Sequence, residues 1–195
     1  MLVILGTAHS KSTPGKRSPD GKFREYLFSR EVCKEIRRAL IAKGYNCVID
    51  IEGDEEYSLT NRVNIVNRYC RQYGSKNCIY VSVHVNAASG SSWSNARGLC
   101  VYVSNNSSAA SKELAKTLYK EGASRGLKGN RYVPAENYWK ADFYVLKYTN
   151  CPAVLTENLF QDNKEDLKFL QSFQGKKTII DYHVAAIDKY LKEKK

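Results

Sequence analysis

Three short stretches restrict the fold of this chain more than any other feature: residues 2–7 ("LVILGT"), 78–84 ("CIYVSVH") and 153–157 ("AVLTE"). Each is apolar almost from end to end. A strand with one face in water alternates apolar and polar side chains, whereas a strand covered on both faces does not. Helical patterns lie between them. From Glu25 to Lys43 apolar residues recur at helical spacing as Leu27, Phe28, Val32, Ile36 and Leu40, and Gly44 stops the helix. "YNCVIDIE" reads as a second strand, "SLTNRVNIVNRYCRQYG" as a second helix and "GLCVYVS" as a fourth strand. "SSAASKELAKTLYKEGASRG" is a serine-capped amphipathic helix. A loop with scattered aromatics over 129–142 leads to "FYVLKY" and the strand at 153–157, and two more helical patterns, "KEDLKFLQSF" and "KKTIIDYHVAAIDKYL", close the chain. This order predicts an α/β fold, a twisted, mostly parallel sheet of about six strands with helices on both faces. No repeat or low-complexity linker divides the chain, so residues 1–195 are expected to form one domain.

Composition narrows the class of function. A chain of 195 residues that is 43% hydrophobic and 26% charged can bury a core without disulfide staples. No apolar run is long enough to span a bilayer. The start, "MLVILGTAHS", has neither the basic residues nor the long apolar core of a signal peptide, so synthesis in the cytoplasm without one is expected. Six cysteines stand singly at 33, 47, 70, 78, 100 and 151, with no C-x-x-C pair, and are expected to be free, buried thiols. The net charge of +11 favours polyanionic partners: nucleic acid, an anionic membrane, or a cell wall bearing carboxylates and phosphates. The basic residues are scattered, so charge alone does not choose among them.

The chemistry-bearing residues sit where these strands end. In an open α/β sheet the ligand site lies beyond the carboxyl ends of the strands. The first strand delivers His9, the third His84, and the strand at 153–157 delivers Glu157. Glu25, opening the first helix, reaches the same rim if the connection has the usual right hand. Two histidines and one carboxylate with a fourth position open are a ligand set of catalytic zinc. A second glutamate beside the open position supplies a base. A strand-end histidine or a helix-opening glutamate alone has a plainer structural explanation, and only the coincidence of all four carries weight. The third histidine, His183, lies beside an apolar helix stripe of Ile180, Val184, Ile187 and Leu191 and is set aside as a helix-face residue.

The order of these residues resembles that of the zinc-dependent N-acetylmuramoyl-L-alanine amidases of bacterial autolysins and phage endolysins, the amidase-3 family. The family opens on a strand running into a D-x-G-H-G-like turn, here "ILGTAHS" with His9 kept and its neighbours changed. A helix-opening glutamate follows, matched by Glu25 ahead of "ALIAKG". The element R-x-x-x-A-N appears as "RVNIVN" at 62–67 with valine for alanine, and S-x-H-x-N is complete in Ser82, His84 and Asn86. R-G-x-K is present as Arg125, Gly126 and Lys128. "VLKYTNCPAVLTENLFQDN" matches the last motif, with Lys147 for arginine and Leu159 for glycine. The resemblance runs from residue 2 to about 170, and the stretch 129–141 is longer than the family usually carries.

The resemblance implies His9, Glu25 and His84 as ligands of one zinc ion per chain and Glu157 as the catalytic acid and base. It implies hydrolysis of the amide between N-acetylmuramic acid and L-alanine in peptidoglycan. With no appended repeat in the sequence, a single catalytic domain without a separate wall-binding domain is expected. Asn86 is a candidate for orienting a ligand, touching substrate or capping the loop. Tyr132, Tyr138 and Trp139 are candidates for stacking on sugar or peptide, or for anchoring the long loop. The expected partner is peptidoglycan, with no specific nucleic acid, no membrane insertion and a monomeric state. The expected place of work is the cell wall, reached after release or by an export route without a signal peptide, as for a compact endolysin; a cytoplasmic recycling enzyme and a domain cut from a longer exported protein are alternatives. One rival enzyme is a zinc carboxypeptidase-like hydrolase of the stem peptide, which usually pairs its first ligands as H-x-x-E, whereas His9 and Glu25 are sixteen apart. The other rival, a basic binding module without catalysis, explains the charge but not Glu157.

Overall fold

The computed structural model describes residues 1–89 and 91–194, so Gly90 of the serine-rich loop behind His84 and Lys195 of the basic tail lie outside it. The chain runs β1 (Leu2–Thr7), α1 (Glu25–Ala42), β2 (Asn46–Ile49), α2 (Leu59–Tyr73), β3 (Cys78–Asn86), β4 (Cys100–Val103), α3 (Ala109–Gly122), β5 (Trp139–Lys140), α4 (Tyr144–Lys147), β6 (Ala153–Phe160), α5 (Lys164–Gln171) and α6 (Phe173–Lys192). The strands form one six-stranded sheet in the order β2-β1-β3-β6-β4-β5. Neighbours are parallel except β4 and β6, which run antiparallel. The sheet is therefore mixed but mostly parallel, as the apolar strands require.

Those strands are apolar because both faces are covered. On one face Val3, Leu5, Val81, Val83 and Val154 join the larger core with α1, α3, α5 and α6. On the other, Leu2, Ile4, Tyr80 and Leu155 meet Val63, Val66 and Cys70 of α2 and Val145 and Leu146 of α4. Helix α1 buries Phe28, Val32, Ile36 and Leu40, four residues apart, while Leu27 lies off that stripe and is exposed. Its end is a Schellman turn: Gly44, at φ 85°, donates to the Ile41 carbonyl and Tyr45 donates to that of Leu40. All six cysteines are free and buried. Among the described residues no helix is long and apolar enough to cross a membrane.

One segment differs from the sequence expectation, and one to which the sequence assigned no element is helical. The stretch 129–142, read as loop, contains β5, where Trp139 and Lys140 pair with Tyr102 and Val103. The indole rests against the Tyr102 and Tyr119 rings, with centroids 6.0 and 5.9 Å away, so aromatic packing rather than strand periodicity holds this edge. "FYVLKY" forms the single helical turn α4. Its adjacent residues Val145 and Leu146 both enter the smaller core, which a helical turn permits and a strand, sending neighbours to opposite faces, does not.

Candidate metal centre

Strands β1, β3 and β6 lie close to the middle of the sheet, and their carboxyl ends set the site. His84 and Glu157 are register partners on β3 and β6, which puts both side chains on one face about one strand spacing, ~4.8 Å, apart. Glu25 is the first residue of α1, and its N–H donates to the Lys16 carbonyl at 3.2 Å. His9 follows β1 in the loop. Glu25 lies between the imidazoles, with Oε1 3.1 Å from His84 Nδ1 and Oε2 3.4 Å from His9 Nε2. The rings meet edge to face, 5.2 Å between centroids and 89° between planes. One donor atom from each of the three residues lies within 4.8 Å of the others. The remaining nitrogen of His84, Nε2, is 3.1 Å from Ser82 Oγ, which fixes the ring with Nδ1 toward the cluster.

Electrostatics suit this set to a cation. Burial opposes ionisation of Glu25, but hydrogen bonding to His84 and His9 more than offsets it and holds its pKa at about 2. Burial lowers the pKa of His84, with Glu25 only partly opposing, so the imidazole is neutral at pH 7 and free to ligate. Glu157 goes the other way: burial, then the nearby Glu25 carboxylate, push its pKa well above the usual carboxylate range, against an opposing pull from Lys16. Among the described residues its Oε2 is buried without a hydrogen-bond partner.

The turn that aims His9 is held by buried charge. His9 has φ 45°, the left-handed region that non-glycine residues rarely occupy. Arg30 Nη2 and Arg62 Nη2 both donate to the His9 carbonyl, at 3.0 and 2.8 Å. Arg30 Nη1 also donates to the Ala8 carbonyl and Arg62 Nη1 to that of Thr7, while Ser29 Oγ accepts from Ala8 N at 2.9 Å. Asp50 balances Arg62 at 3.8 Å, accepts from Thr7 N at 2.9 Å and takes the Tyr80 hydroxyl at 3.2 Å. Gly6 must be glycine, because a Cβ there would run into that hydroxyl. Of these residues the motifs marked Arg62 without a role; Ser29, Arg30 and Asp50 carry no sequence signal that separates them from ordinary helix and loop residues.

A second polar network supports the site from the opposite face. Asn158 donates to the His84 carbonyl at 2.8 Å and accepts from the Tyr182 hydroxyl. His183 is fully buried, with Nδ1 2.8 Å from the Ile179 carbonyl and Nε2 3.0 Å from Thr156 Oγ1. It belongs to the core behind the sheet and is not part of the cluster. Leu159, the departure from the family's glycine, has φ 65° and is 4% exposed.

A cavity of about 390 Å³ opens on the cluster, lined by His9, His84, Lys16, Arg62, Glu56 and Tyr57 among others. Glu56 is occupied by the hydroxyls of Ser10, Ser12 and Thr13, which ties the His9 loop to the segment before α2. A larger cavity, about 810 Å³, lies at the opposite end of the sheet beside Met1, Lys76 and Asn150, and none of the four site residues lines it.

The four candidate substrate residues are placed differently. β3 shifts register between His84 and Asn86, and Asn86 Oδ1 accepts from Ala87 N at 2.9 Å, a loop-capping contact. Trp139 packs within β5 as described, and Tyr138 is buried in the larger core. Tyr132 is 83% exposed on the segment that leaves the site end of β4, where the Gly98 and Gly129 backbones touch.

A family model described as N-acetylmuramoyl-L-alanine amidase matches residues 3–189. The chain is 28% identical over 197 residues to an endolysin of Bacillus phage SPP1, covering 100% of this chain and 67% of that protein. It is 29% identical over 141 residues to the N-acetylmuramoyl-L-alanine amidase LytC of Bacillus subtilis (strain 168), covering 72% of this chain and 26% of that protein. Among solved structures, an N-acetylmuramoyl-L-alanine amidase from Clostridium difficile 630 has the same fold with a TM-score of 0.86 at 21% identity, covering 100% of this chain and 98% of the other. Ami1 from Mycobacterium smegmatis gives 0.84 at 20% identity, covering 99% and 97%. Fold, family match and motif order agree: the chain belongs to the amidase-3 family of N-acetylmuramoyl-L-alanine amidases, which hydrolyse the amide joining N-acetylmuramic acid to L-alanine in peptidoglycan.

Proposed function

We propose that His9, Glu25 and His84 hold one zinc ion and that Glu157 carries the proton in the amidase reaction, all within a single chain. The observation that carries this reading is the convergence of three donors from separate elements to within 4.8 Å, beside a glutamate in register with one of them. Two imidazoles and one carboxylate suit zinc, which accepts nitrogen and oxygen donors and keeps net positive charge with this set. Ser82, on the far nitrogen of His84, is the outer partner that a ligating imidazole requires. When bound, the ion would supply Lewis acidity to the scissile carbonyl and lower the pKa of water.

The protein's own groups do the rest. Glu157 Oε2, buried and unpartnered, accepts a proton from the attacking water. The carboxyl then passes that proton to the amine nitrogen as the C–N bond breaks. The leaving group departs as a neutral amine rather than a strongly basic amide anion. Arg30 and Arg62 keep His9 in place throughout. Tyr132, whose exposure beside the site end of β4 supports this role, stacks on a sugar of the substrate. Similarity along the whole chain to a phage endolysin supports work on wall peptidoglycan as a lysin.

Digestion of purified peptidoglycan with and without a chelator, with mass analysis of the products, tests this. Intact stem peptides with free N-terminal alanine, lost on chelation and restored by zinc, are expected. Products with alanine still on muramic acid would mean a stem-peptide peptidase, and chelator-resistant release would remove the metal from the account.

A further inference from the structure

The cavity over the cluster contains one charge that the protein leaves unused. Arg62 is committed to the Thr7 and His9 carbonyls and to Asp50, and Glu56 to three hydroxyls. Lys16 also lines this cavity, is exposed, and among the described residues its ammonium forms no ion pair or hydrogen bond. Its backbone is nonetheless fixed. The Lys16 carbonyl accepts from the N–H of Glu25, and an antiparallel bridge between Arg17 and Arg24 closes the loop behind it. The base of Lys16 is thus one hydrogen bond from a proposed metal ligand, while its charged end stays free. A lysine ammonium is a compact point charge with three donors, suited to a carboxylate that it meets from outside the protein.

Resting on the metal-centre reading above, we propose that Lys16 is a specificity residue that binds a free carboxylate of the stem peptide, on the residue after the alanine at the scissile bond. The substrate class carries the complementary charge, and an extended peptide places its second residue roughly 7 Å beyond the first bond. The same cavity is lined by His9 and His84 of the cluster and by Lys16 and Tyr57.

The test uses zinc-loaded full-length protein and two muramyl dipeptides that differ only at the second residue, one with a free α-carboxylate and one with the carboxamide. Binding is measured by calorimetry in the Glu157→Gln background, so that ligand survives. A preference of about fivefold for the carboxylate is expected, the scale of one partly exposed ion pair. In Glu157→Gln/Lys16→Met the preference falls to about one, and in Glu157→Gln/Lys16→Arg it persists. No preference in the Glu157→Gln protein, or a preference that survives Lys16→Met, overturns the proposal. With active protein, Lys16→Met raises KM for the carboxylate substrate about fivefold at unchanged kcat; a fall in kcat at constant KM would instead mean that Lys16 acts only through Glu157. Turnover by the Glu157→Gln protein would sink the role of Glu157 while leaving the two affinities to decide on Lys16.

Discussion

Leu159 stands where the family motif has glycine, and its backbone has φ 65°. Two opposing terms meet there. An L-residue in the left-handed region is strained by about 1–2 kcal/mol relative to glycine. The side chain, 4% exposed in the larger core, contributes about 2–5 kcal/mol that truncation removes. Burial wins, so both Leu159→Ala and Leu159→Gly are destabilised, by roughly 2–4 kcal/mol. The informative comparison is between the two variants. Alanine keeps the backbone strain and glycine releases it, offset by about 0.5–1 kcal/mol of extra chain entropy. Leu159→Gly should therefore be the more stable by roughly 0.5–1 kcal/mol, the reverse of the order at ordinary sites. Urea unfolding of the two proteins, at equal metal loading, measures it. An alanine variant as stable as the glycine variant, or more so, would refute the claim that this backbone position selects for glycine.

His183 gives a pH dependence. Burial lowers its pKa from 6.5 to about 4, so the folded state binds a proton less readily than the unfolded state. Its contribution is full above pH 6.5 and is lost as pH falls toward 4, amounting to about 2 kcal/mol between pH 7 and pH 5. The wild type should lose that much more stability than His183→Gln over this range, and equal losses would count against it. Arg62→Met leaves Asp50 buried without its cation and removes the donor to the Thr7 carbonyl, while the His9 carbonyl keeps only Arg30, so a loss of about 3–5 kcal/mol in unfolding free energy is expected. Because His9 is held by the same guanidinium, zinc affinity by chelator competition should fall about 10–100-fold; unchanged affinity would show that Arg30 suffices.

The sheet was legible because unbroken apolar runs have few other uses, and the strands beginning at Leu2, Cys78 and Ala153 appear where that pattern places them. His9, Glu25, His84 and Glu157 were legible because each stands at the end or start of an element, so topology alone brings them to one rim. β5 was not, since its two residues are held by aromatic packing that depends on Tyr119 from α3. The clamp around His9 was not, because a buried arginine such as Arg30 looks in sequence like any other base on a helix in a chain with 31 lysines and arginines. Asn86 matched its motif in full, yet the register shift after His84 turns it toward the loop, and no local pattern announces a bulge.

If three residues bind the metal and a fourth moves the proton, loss of a ligand and loss of the proton carrier have different signatures. Zinc content and amidase turnover measured side by side in Glu157→Gln and His84→Ala separate them. One zinc per chain and turnover reduced by at least about a hundredfold are expected in Glu157→Gln, with both metal and turnover lost in His84→Ala. Undiminished turnover in Glu157→Gln, or full zinc occupancy in His84→Ala, would contradict that division of roles.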